Sequence, residues 1–221
     1  MSTTNIPLKH YCESYDDLTR WNSYWYRIES VKELPVKNVL EIGVGNKTVS
    51  NYLALNGYRI TTLDISKNLK PDIVGEITKL PFTNNSFDAI LCCQVLEHLP
   101  FERVETALKE MTRISNYMVM SLPYFSVYTS ITLDANVFSW IKRKRFKPKN
   151  FLMRLPFPLP HKFDGAHYWE IGKKGYPLKV IRKLFQKCGL KILKEKIPPL
   201  NAPHHFFVLQ RTYIKHKGLE E

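Results

Sequence analysis

The sequence feature that most constrains the fold is a short apolar run that ends in two closely spaced glycines. Residues 39–45 read VLEIGVG, so a segment of strand length runs directly into Gly43 and Gly45. A second apolar segment, ITTLDI, brings Asp64 19 residues after the second glycine. A strand, a glycine turn, a helix and a second strand ending in an acid make one βαβ unit. The pattern predicts an open α/β sheet with the glycine turn and the acid at one edge.

The same pattern restricts what this edge can bind. Glycines let the backbone approach a ligand closely, and a carboxylate can accept hydrogen bonds from the two hydroxyls of a ribose. Glu41 adds a second carboxylate at the first strand end, where a dinucleotide site has no need of one. These residues predict a nucleoside site with an additional acidic group.

Strand-like and helix-like segments alternate through the first half of the chain. The helix at 48–57 is predicted to begin with Thr48 as its N-cap and to stop at Gly57. We expect a parallel sheet with right-handed crossovers. The predicted strands are 38–44, 59–65, 71–77, 87–94 and 117–123, and the predicted helices of this part are 48–57 and 101–114.

The end of the chain follows a different pattern. A helix is predicted at 176–189, and the strands 190–197 and 204–213 are joined by only PPLNAP, which indicates an antiparallel hairpin. The expected fold is therefore α/β, with a Rossmann-like seven-stranded, mostly parallel sheet and one antiparallel strand. The expected parts of this single domain are an N-terminal helical lid (1–37), a ligand-binding core (38–123), an insertion after strand five (124–175), and the last helix with the terminal hairpin (176–221).

The N-terminal segment 11–34 carries Tyr11, Tyr15, Trp21, Trp25 and other large residues at roughly helical spacing. Two interpretations remain open. The helix either packs its aromatic face on the domain or covers a ligand pocket as a lid.

The net charge of +13 comes entirely from the second half of the chain. Residues 1–113 sum to −1, whereas residues 114–221 sum to +14. Part of this excess is the run IKRKRFKPK at 141–149, inside the predicted insertion. The insertion could bind an anionic small substrate, rest on an anionic membrane through 141–160, or hold RNA phosphates. Simple solvation of a basic loop is the remaining alternative.

Cysteine and histidine patterns give no metal-ligand spacing. Cys12, Cys92, Cys93 and Cys188 form no CxxC pair, and adjacent Cys92 and Cys93 fall on a predicted buried strand. A reducing, cytoplasmic compartment is expected. The pair at 204–205 lies on a strand, so its two imidazoles point to opposite faces. We expect no metal.

Taken together, the motifs VLEIGVG, TLDI, GEITKLPF and FDAILCCQVLEHLP, with a terminal hairpin, resemble class I S-adenosylmethionine-dependent methyltransferases. The resemblance is to the methyltransferase type 11 group, and it is strong over residues 38–123. It implies S-adenosylmethionine as methyl donor and S-adenosylhomocysteine as product. The residues that the resemblance assigns to the cofactor are Glu41, Gly43, Gly45, Asp64, Ile65, Glu76, Ile77 and Gln94.

The resemblance also implies individual roles. Glu41 and the glycines surround the methionyl end, while Asp64 binds the ribose hydroxyls and Ile65 packs on the adenine. Glu76 and Ile77 meet the adenine edge, and Gln94 lies beside the sulfonium. One position departs from the family pattern, because Lys47 stands where a third glycine is common.

Methyl transfer is an SN2 displacement, so alignment of the reactants supplies much of the catalysis. A general base is needed only when the acceptor loses a proton, as a hydroxyl does. The candidates for that role are His98, His167 and Glu170. The expected acceptor is a small-molecule or lipid-linked, anionic compound. An RNA methyltransferase, an NAD-dependent oxidoreductase and a non-catalytic cofactor-binding module are the alternatives.

Overall fold

The protein is described by a computed structural model that covers residues 15–133, 149–155, 157–198 and 200–212. Most of the predicted basic run, 141–148, lies outside the described residues, as do Tyr11 and Cys12. No helix among the described residues is both long and apolar enough to cross a membrane.

A seven-stranded sheet forms the centre of the molecule, in the order β3-β2-β1-β4-β5-β9-β8. Its strands are β1 (Asn38–Ile42), β2 (Arg59–Asp64), β3 (Ile73–Val74), β4 (Phe87–Cys93), β5 (Ser115–Pro123), β8 (Leu190–Lys196) and β9 (His204–Arg211). The pairs among the first five strands are parallel, and β9 pairs antiparallel with both β5 and β8. The predicted fold, including its one reversed strand and its terminal hairpin, is confirmed.

In the part of the chain that the structure describes, four helices cover the two faces of this sheet: α1 (Leu18–Lys32), α2 (Thr48–Leu55), α3 (Phe101–Ile114) and α4 (Leu178–Lys187). Alternate residues of a strand point to opposite faces, so β1 contributes Val39 to the core under α1 and α2. Leu40 and Ile42 enter the other core, under α3 and α4. Burial on both faces explains why the parallel strands read as nearly continuous apolar runs.

Helix α1 begins at Asp17, whose carboxylate accepts the backbone N–H of Arg20 at 2.7 Å. Its buried residues include Tyr24 and Ile28, but Trp21 and Trp25 remain 55% and 57% exposed. The interpretation of an aromatic face packed on the domain therefore applies to only part of this helix. The two tryptophans lie on its outer side.

The start of helix α2 differs from the prediction. Thr48 is the first helical residue rather than the N-cap, and the cap position is occupied by Lys47 in a left-handed conformation. The side chain of Asn46 accepts the backbone N–H of Thr48 at 3.2 Å instead. The prediction of Thr48 as N-cap was wrong because the glycine turn continues two residues further than the apolar pattern indicates.

The insertion contains a second, two-stranded antiparallel sheet that the sequence pattern did not predict: β6 (Val127–Leu133) and β7 (Lys149–Leu155). Directly opposed residues share one face of a hairpin. Here the register pairs Val127 with Leu155 and Ile131 with Phe151, and all four side chains are more than half exposed. One face of this hairpin is therefore apolar and open to solvent.

Candidate active site

Strands β1, β2, β4 and β5 all end at the same edge of the sheet because they are parallel. In open α/β sheets this carboxyl edge is where ligands bind. The structure places most of the predicted site residues at or directly after these strand ends.

The glycine turn after β1 is closely packed. Gly43 has a φ of 80°, and its N–H donates to the carbonyl of Leu63 in β2 at 2.9 Å. A Cβ at this position would lie 2.4 Å from Cγ2 of Val95, in the segment that follows β4. Both the left-handed conformation and the missing space require glycine here. Gly45 also has a positive φ, of 50°.

Asp64, the last residue of β2, is buried and faces this turn. Its carboxylate accepts the N–H of Val44 at 3.0 Å and that of Ser66 at 2.8 Å. A carboxylate has about four acceptor positions, so two remain for a diol. The neighbouring Ile65 is 47% exposed, which leaves an apolar surface beside the acid.

Glu41 of β1 is buried beneath the turn, and its Oε2 has no hydrogen-bond partner among the described residues. Burial raises the pKa of Glu41 to about 7, although the positive charge of Arg27 opposes the increase. Arg27 comes from α1 and is itself 8% exposed. Sequence reasoning missed Arg27, whose only signal was a basic residue among the apolar positions of a helix.

Lys47 occupies the position where the resemblance predicts a third glycine. Its φ of 62° explains why glycine is common at this position. The turn requires a left-handed residue there, a conformation that glycine adopts without strain. The Lys47 ammonium donates to the carbonyl of Lys70, after β2. The departure therefore changes the residue but keeps the backbone of the turn.

Gln94 lies directly after β4 in a left-handed conformation, with a φ of 58°. Its side-chain amide donates to the hydroxyl of Ser121 at 3.1 Å, which links the ends of β4 and β5.

The Glu76 carboxylate forms an ion pair with Arg103 on the protein surface. Ile77 is buried in the core between the sheet and α3. Glu76 is thus paired at the protein surface, and Ile77 is enclosed in the core.

Helix α1 is tied to the glycine turn by polar contacts. The hydroxyl of Tyr24 donates to Asp16 at 2.8 Å, and the amide of Asn46 donates to the same carboxylate at 2.9 Å. At the other side of the helix, Ser23 lies 3.3 Å from His204 of β9. The start of the helix is therefore held directly beside the turn.

The three candidates for acceptor chemistry are brought together by tertiary structure. The His98 and His167 ring centroids are 5.1 Å apart, and Nδ1 of His167 lies 2.9 Å from a carboxylate oxygen of Glu170. The hydrogen bond to Glu170 raises the pKa of His167. Burial lowers the pKa of His98, and the hydrogen bond with His167 lowers the pKa of Glu170.

Hydrogen bonds to backbone carbonyls hold the segment 167–171 at this edge. The N–H of Tyr168 donates to the carbonyl of Glu97 at 2.8 Å, and the fully buried indole of Trp169 donates to the carbonyl of Leu99 at 3.1 Å. Ile171 then donates to the carbonyl of Pro123, at the end of β5, at 3.0 Å. The segment therefore spans the ends of β4 and β5.

Glu97 was not among the predicted site residues, but it belongs to the same cluster. It lies in a 3₁₀ turn (Leu96–His98) directly after β4, and its side chain is completely buried. Neither carboxylate oxygen has a hydrogen-bond partner among the described residues. Burial raises the pKa of Glu97 to about 7. The LEH sequence gave a weak signal, since an acid at the start of a short helical turn is usually structural.

Comparisons with known proteins agree with this architecture. Residues 40–116 match the model of the family described as "Methyltransferase domain". Over 103 residues the chain is 33% identical to a demethylmenaquinone methyltransferase of Renibacterium salmoninarum. That alignment covers 41% of this chain and 43% of the relative, so it spans less than half of either protein.

Two solved structures share the fold at low sequence identity. A 1,6-didemethyltoxoflavin-N1-methyltransferase of Burkholderia thailandensis superposes with a TM-score of 0.60 and 11% identity, covering 90% of this chain and 80% of that one. The magnesium protoporphyrin IX methyltransferase of Synechocystis PCC 6803 gives a TM-score of 0.59 and 15% identity, covering 92% of both chains. Both were crystallised with S-adenosylhomocysteine.

The sheet order, the glycine turn and the acid after β2 match the fold of class I S-adenosylmethionine-dependent methyltransferases. The match to the methyltransferase domain covers residues 40–116, the part of the chain in which the motifs carry the resemblance. The cofactor of this class is S-adenosylmethionine.

Proposed function

We propose that the protein methylates a small-molecule or lipid-linked, anionic acceptor. The observation that carries this proposal is that the glycine turn and the cluster of His98, His167 and Glu170 lie at the same edge of the sheet. A methyl donor held at one and an acceptor held at the other would meet there, and proximity of this kind supplies much of the catalysis in a displacement.

The residues of the turn fit the cofactor. The close approach at Gly43 leaves backbone where a side chain would otherwise stand, and the Glu41 oxygen without a partner suits a cationic ligand. We assign the methionyl end to Glu41, Gly43 and Gly45, and the ribose diol to Asp64. Ile65 and Gln94 would flank the adenine and the sulfonium.

Two other assignments have less support. Glu76 is engaged by Arg103 and Ile77 is part of the core, so neither offers a free group to the adenine in the present arrangement. Asp16 and Tyr24, at the start of α1, contact the turn instead, which supports a role for this helix as a lid over the cofactor.

The bound cofactor supplies an electrophilic methyl group. In the proposed transfer, a lone pair of the acceptor would attack the methyl carbon as the carbon–sulfur bond breaks, and the electrons of that bond would return to sulfur as the neutral thioether. When the attacking atom is a hydroxyl oxygen, one proton is released. His98, His167 and Glu170 are the groups that we propose to meet that hydroxyl and its proton.

Two observations support an acceptor that is small or lipid-linked. The relatives described above are named for demethylmenaquinone, 1,6-didemethyltoxoflavin and magnesium protoporphyrin IX, which are small molecules rather than RNA. In addition, the hairpin β6–β7 exposes an apolar face, and the chain between its strands carries the basic sequence KRKRFK. Apolar area beside basic residues is the combination that binds anionic lipid surfaces.

The lipid interpretation predicts binding to vesicles of phosphatidylserine and phosphatidylcholine but not to pure phosphatidylcholine vesicles. We expect Ile131→Ser with Phe151→Ser to weaken this binding about tenfold, because two exposed apolar side chains leave the membrane. Vesicle co-sedimentation measures this binding. The control is Leu193→Ser, which replaces an exposed leucine of β8. Equal binding of the protein to both vesicle types would contradict a role for the hairpin on an anionic surface.

Cofactor binding can be tested apart from the acceptor. Calorimetry should show micromolar binding of S-adenosylhomocysteine and none of NAD. Asp64→Asn should weaken S-adenosylhomocysteine binding about tenfold or more, because one of the strong charge-assisted acceptors for the ribose hydroxyls is lost. Asp88→Asn, a carboxylate at the amino end of β4 that accepts the backbone N–H groups of Lys37 and Asn38, is the matched control. Unchanged binding by Asp64→Asn would refute the ribose assignment.

The acceptor itself requires incubation with labelled S-adenosylmethionine and fractionated native extract, followed by mass spectrometry of the labelled products. A labelled anionic or lipid product is the expected result. Label found only in RNA would favour an RNA methyltransferase, and no labelled product beside intact cofactor binding would favour a non-catalytic module.

A further inference from the structure

Glu97 is a buried acid without a partner. It is completely shielded from solvent, and both of its carboxylate oxygens lack hydrogen-bond partners among the described residues. Buried polar groups in proteins are nearly always paired, and an unpaired carboxylate is among the costliest exceptions. A buried, unpaired carboxylate of this kind indicates a site for a cationic ligand.

Each of the two neighbouring imidazoles has a hydrogen-bond partner at one ring nitrogen. Nδ1 of His98 lies 2.9 Å from the carbonyl of Ala166, and Nδ1 of His167 lies 2.9 Å from the carboxylate of Glu170. Metal-binding histidines almost always donate one ring N–H to a carbonyl or a carboxylate, which leaves the other nitrogen for the metal. Within the described ranges, Nε2 of neither ring has a protein partner.

The three side chains also lie close enough to share one ion. One ligand atom from each of Glu97, His98 and His167 lies within 4.8 Å of the other two. The hydrogen bond from the Tyr168 N–H to the Glu97 carbonyl and the bond from the Trp169 indole hold the two segments together, so the backbones that carry the three ligands are fixed relative to one another. A preorganised set of two imidazoles and one carboxylate suits a first-row transition cation better than Ca²⁺ or Mg²⁺.

We propose that Glu97, His98 and His167 bind one divalent first-row transition cation, with Glu170 orienting His167. This differs from the sequence-based expectation that the protein holds no metal, which considered only cysteine spacing and the pair at 204–205. The local charge favours a cation here, because Asp164 and Glu170, two of only six acids among residues 114–221, lie within three residues of His167.

The expected role of the cation rests on the proposed methyltransferase function. Three protein ligands leave open coordination positions, which a hydroxyl oxygen of the acceptor can fill. A bound cation lowers the pKa of such a hydroxyl, so its proton passes to water and the oxygen attacks the methyl group. His98 and His167 then act as ligands rather than as bases, and the acceptor class becomes a hydroxyl compound.

Metal binding is tested on the untagged full chain after treatment with a chelator. Titration with Mn²⁺ followed by electron paramagnetic resonance, and with Zn²⁺ by calorimetry, should show one equivalent bound. Glu97→Gln and His167→Gln should each weaken binding at least about 100-fold, because a direct ligand is lost. Glu170→Gln should weaken it about 10- to 100-fold, as is typical for a group that orients a ligand.

His205→Gln is the matched control, since it changes a buried histidine that pairs with Glu195 on the far hairpin. It should leave Mn²⁺ binding unchanged. The melting temperature of each variant without metal shows whether it folds, and His98→Asn replaces any variant that does not. Less than one equivalent of metal in the wild type, or equal binding by Glu97→Gln, would overturn the proposal.

The two proposals fail in different ways. S-adenosylhomocysteine binding without any Mn²⁺ binding would refute the metal site and leave the methyltransferase proposal in place. Mn²⁺ binding without methyl transfer to any acceptor would support the metal site and refute the methyltransferase proposal.

Discussion

Replacing Gly43 by alanine is expected to weaken S-adenosylhomocysteine binding at least about 100-fold, or about 2.7 kcal/mol. The added Cβ would lie 2.4 Å from Cγ2 of Val95, and the φ of 80° disfavours any side chain. Either Val95 or the turn must move, and the turn is the part of the chain that approaches the cofactor. The free energy of unfolding should also fall by about 2–4 kcal/mol, from strain and overpacking together. Calorimetry and urea denaturation measure the two effects.

The variant Gly57→Ala tests backbone strain in the absence of a steric clash. Gly57 has the same φ of 80°, but nothing lies within 4 Å of a Cβ built there. We expect it to lose about 1–2 kcal/mol of stability and to bind S-adenosylhomocysteine normally. The double variant Gly43→Ala with Val95→Ala removes the clashing methyl group and should recover part of the binding. Wild-type binding by Gly43→Ala would show that the turn does not approach the cofactor as closely as proposed.

Replacing Glu41 by glutamine should change how the stability of the ligand-free protein depends on pH. Burial raises the folded-state pKa of Glu41 from 4.5 to about 7, so between these values the folded protein holds a proton that the unfolded chain has lost. Stability from this group is therefore present below pH 4.5 and is lost as the pH rises to about 7. The variant has no such loss. Relative to the wild type, it should gain about 3 kcal/mol between pH 4 and pH 8, at 1.36 kcal/mol per pKa unit.

Urea denaturation at several pH values measures this difference. Asp88→Asn serves as the control, because backbone hydrogen bonds from Lys37 and Asn38 lower the pKa of Asp88 and its carboxylate is ionised in both states above pH 5. Its difference from the wild type should be constant from pH 5 to pH 8. A constant difference for Glu41→Gln as well would mean that Glu41 is not held in a dry, unpaired environment.

The same variant tests the role of Glu41 toward the cofactor. S-adenosylmethionine is a sulfonium cation, whereas S-adenosylhomocysteine is a neutral thioether. Loss of the carboxylate should therefore weaken binding of the first about tenfold more than binding of the second. Equal effects on both ligands would place Glu41 away from the sulfonium.

The predictions from sequence were strongest where the signal lies in a short local segment of the chain. The strand ending at Asp64, the helix Phe101–Ile114 and the terminal hairpin follow from apolar periodicity, glycine positions and short connections, all of which are local. The hairpin of the insertion was missed because its strands are separated by a long basic segment and its apolar face has no core to pack against. The N-cap of α2 was misassigned because a lysine adopted the left-handed conformation expected of glycine.

The site was predictable only in part, for a related reason. Glu41, Gly43 and Asp64 belong to motifs whose positions on a parallel sheet follow from topology alone. The electrostatic effect of Arg27 on Glu41 could not be predicted, because it depends on how α1 crosses the sheet. Glu76 was assigned to the adenine from the resemblance, and only the structure shows its pairing with Arg103.

The amino-acid sequence by itself determined the α/β sheet, its order of elements and the edge at which we propose the cofactor to bind, because these depend on strand and helix periodicity and on glycines at fixed spacing. Only the tertiary structure decided that Glu97, His98 and His167 converge. The hydrogen-bond contact between the His98 imidazole and the Ala166 carbonyl joins residues 68 positions apart. No local pattern encodes such a contact, since it arises when the chain returns from the insertion and packs across the ends of β4 and β5.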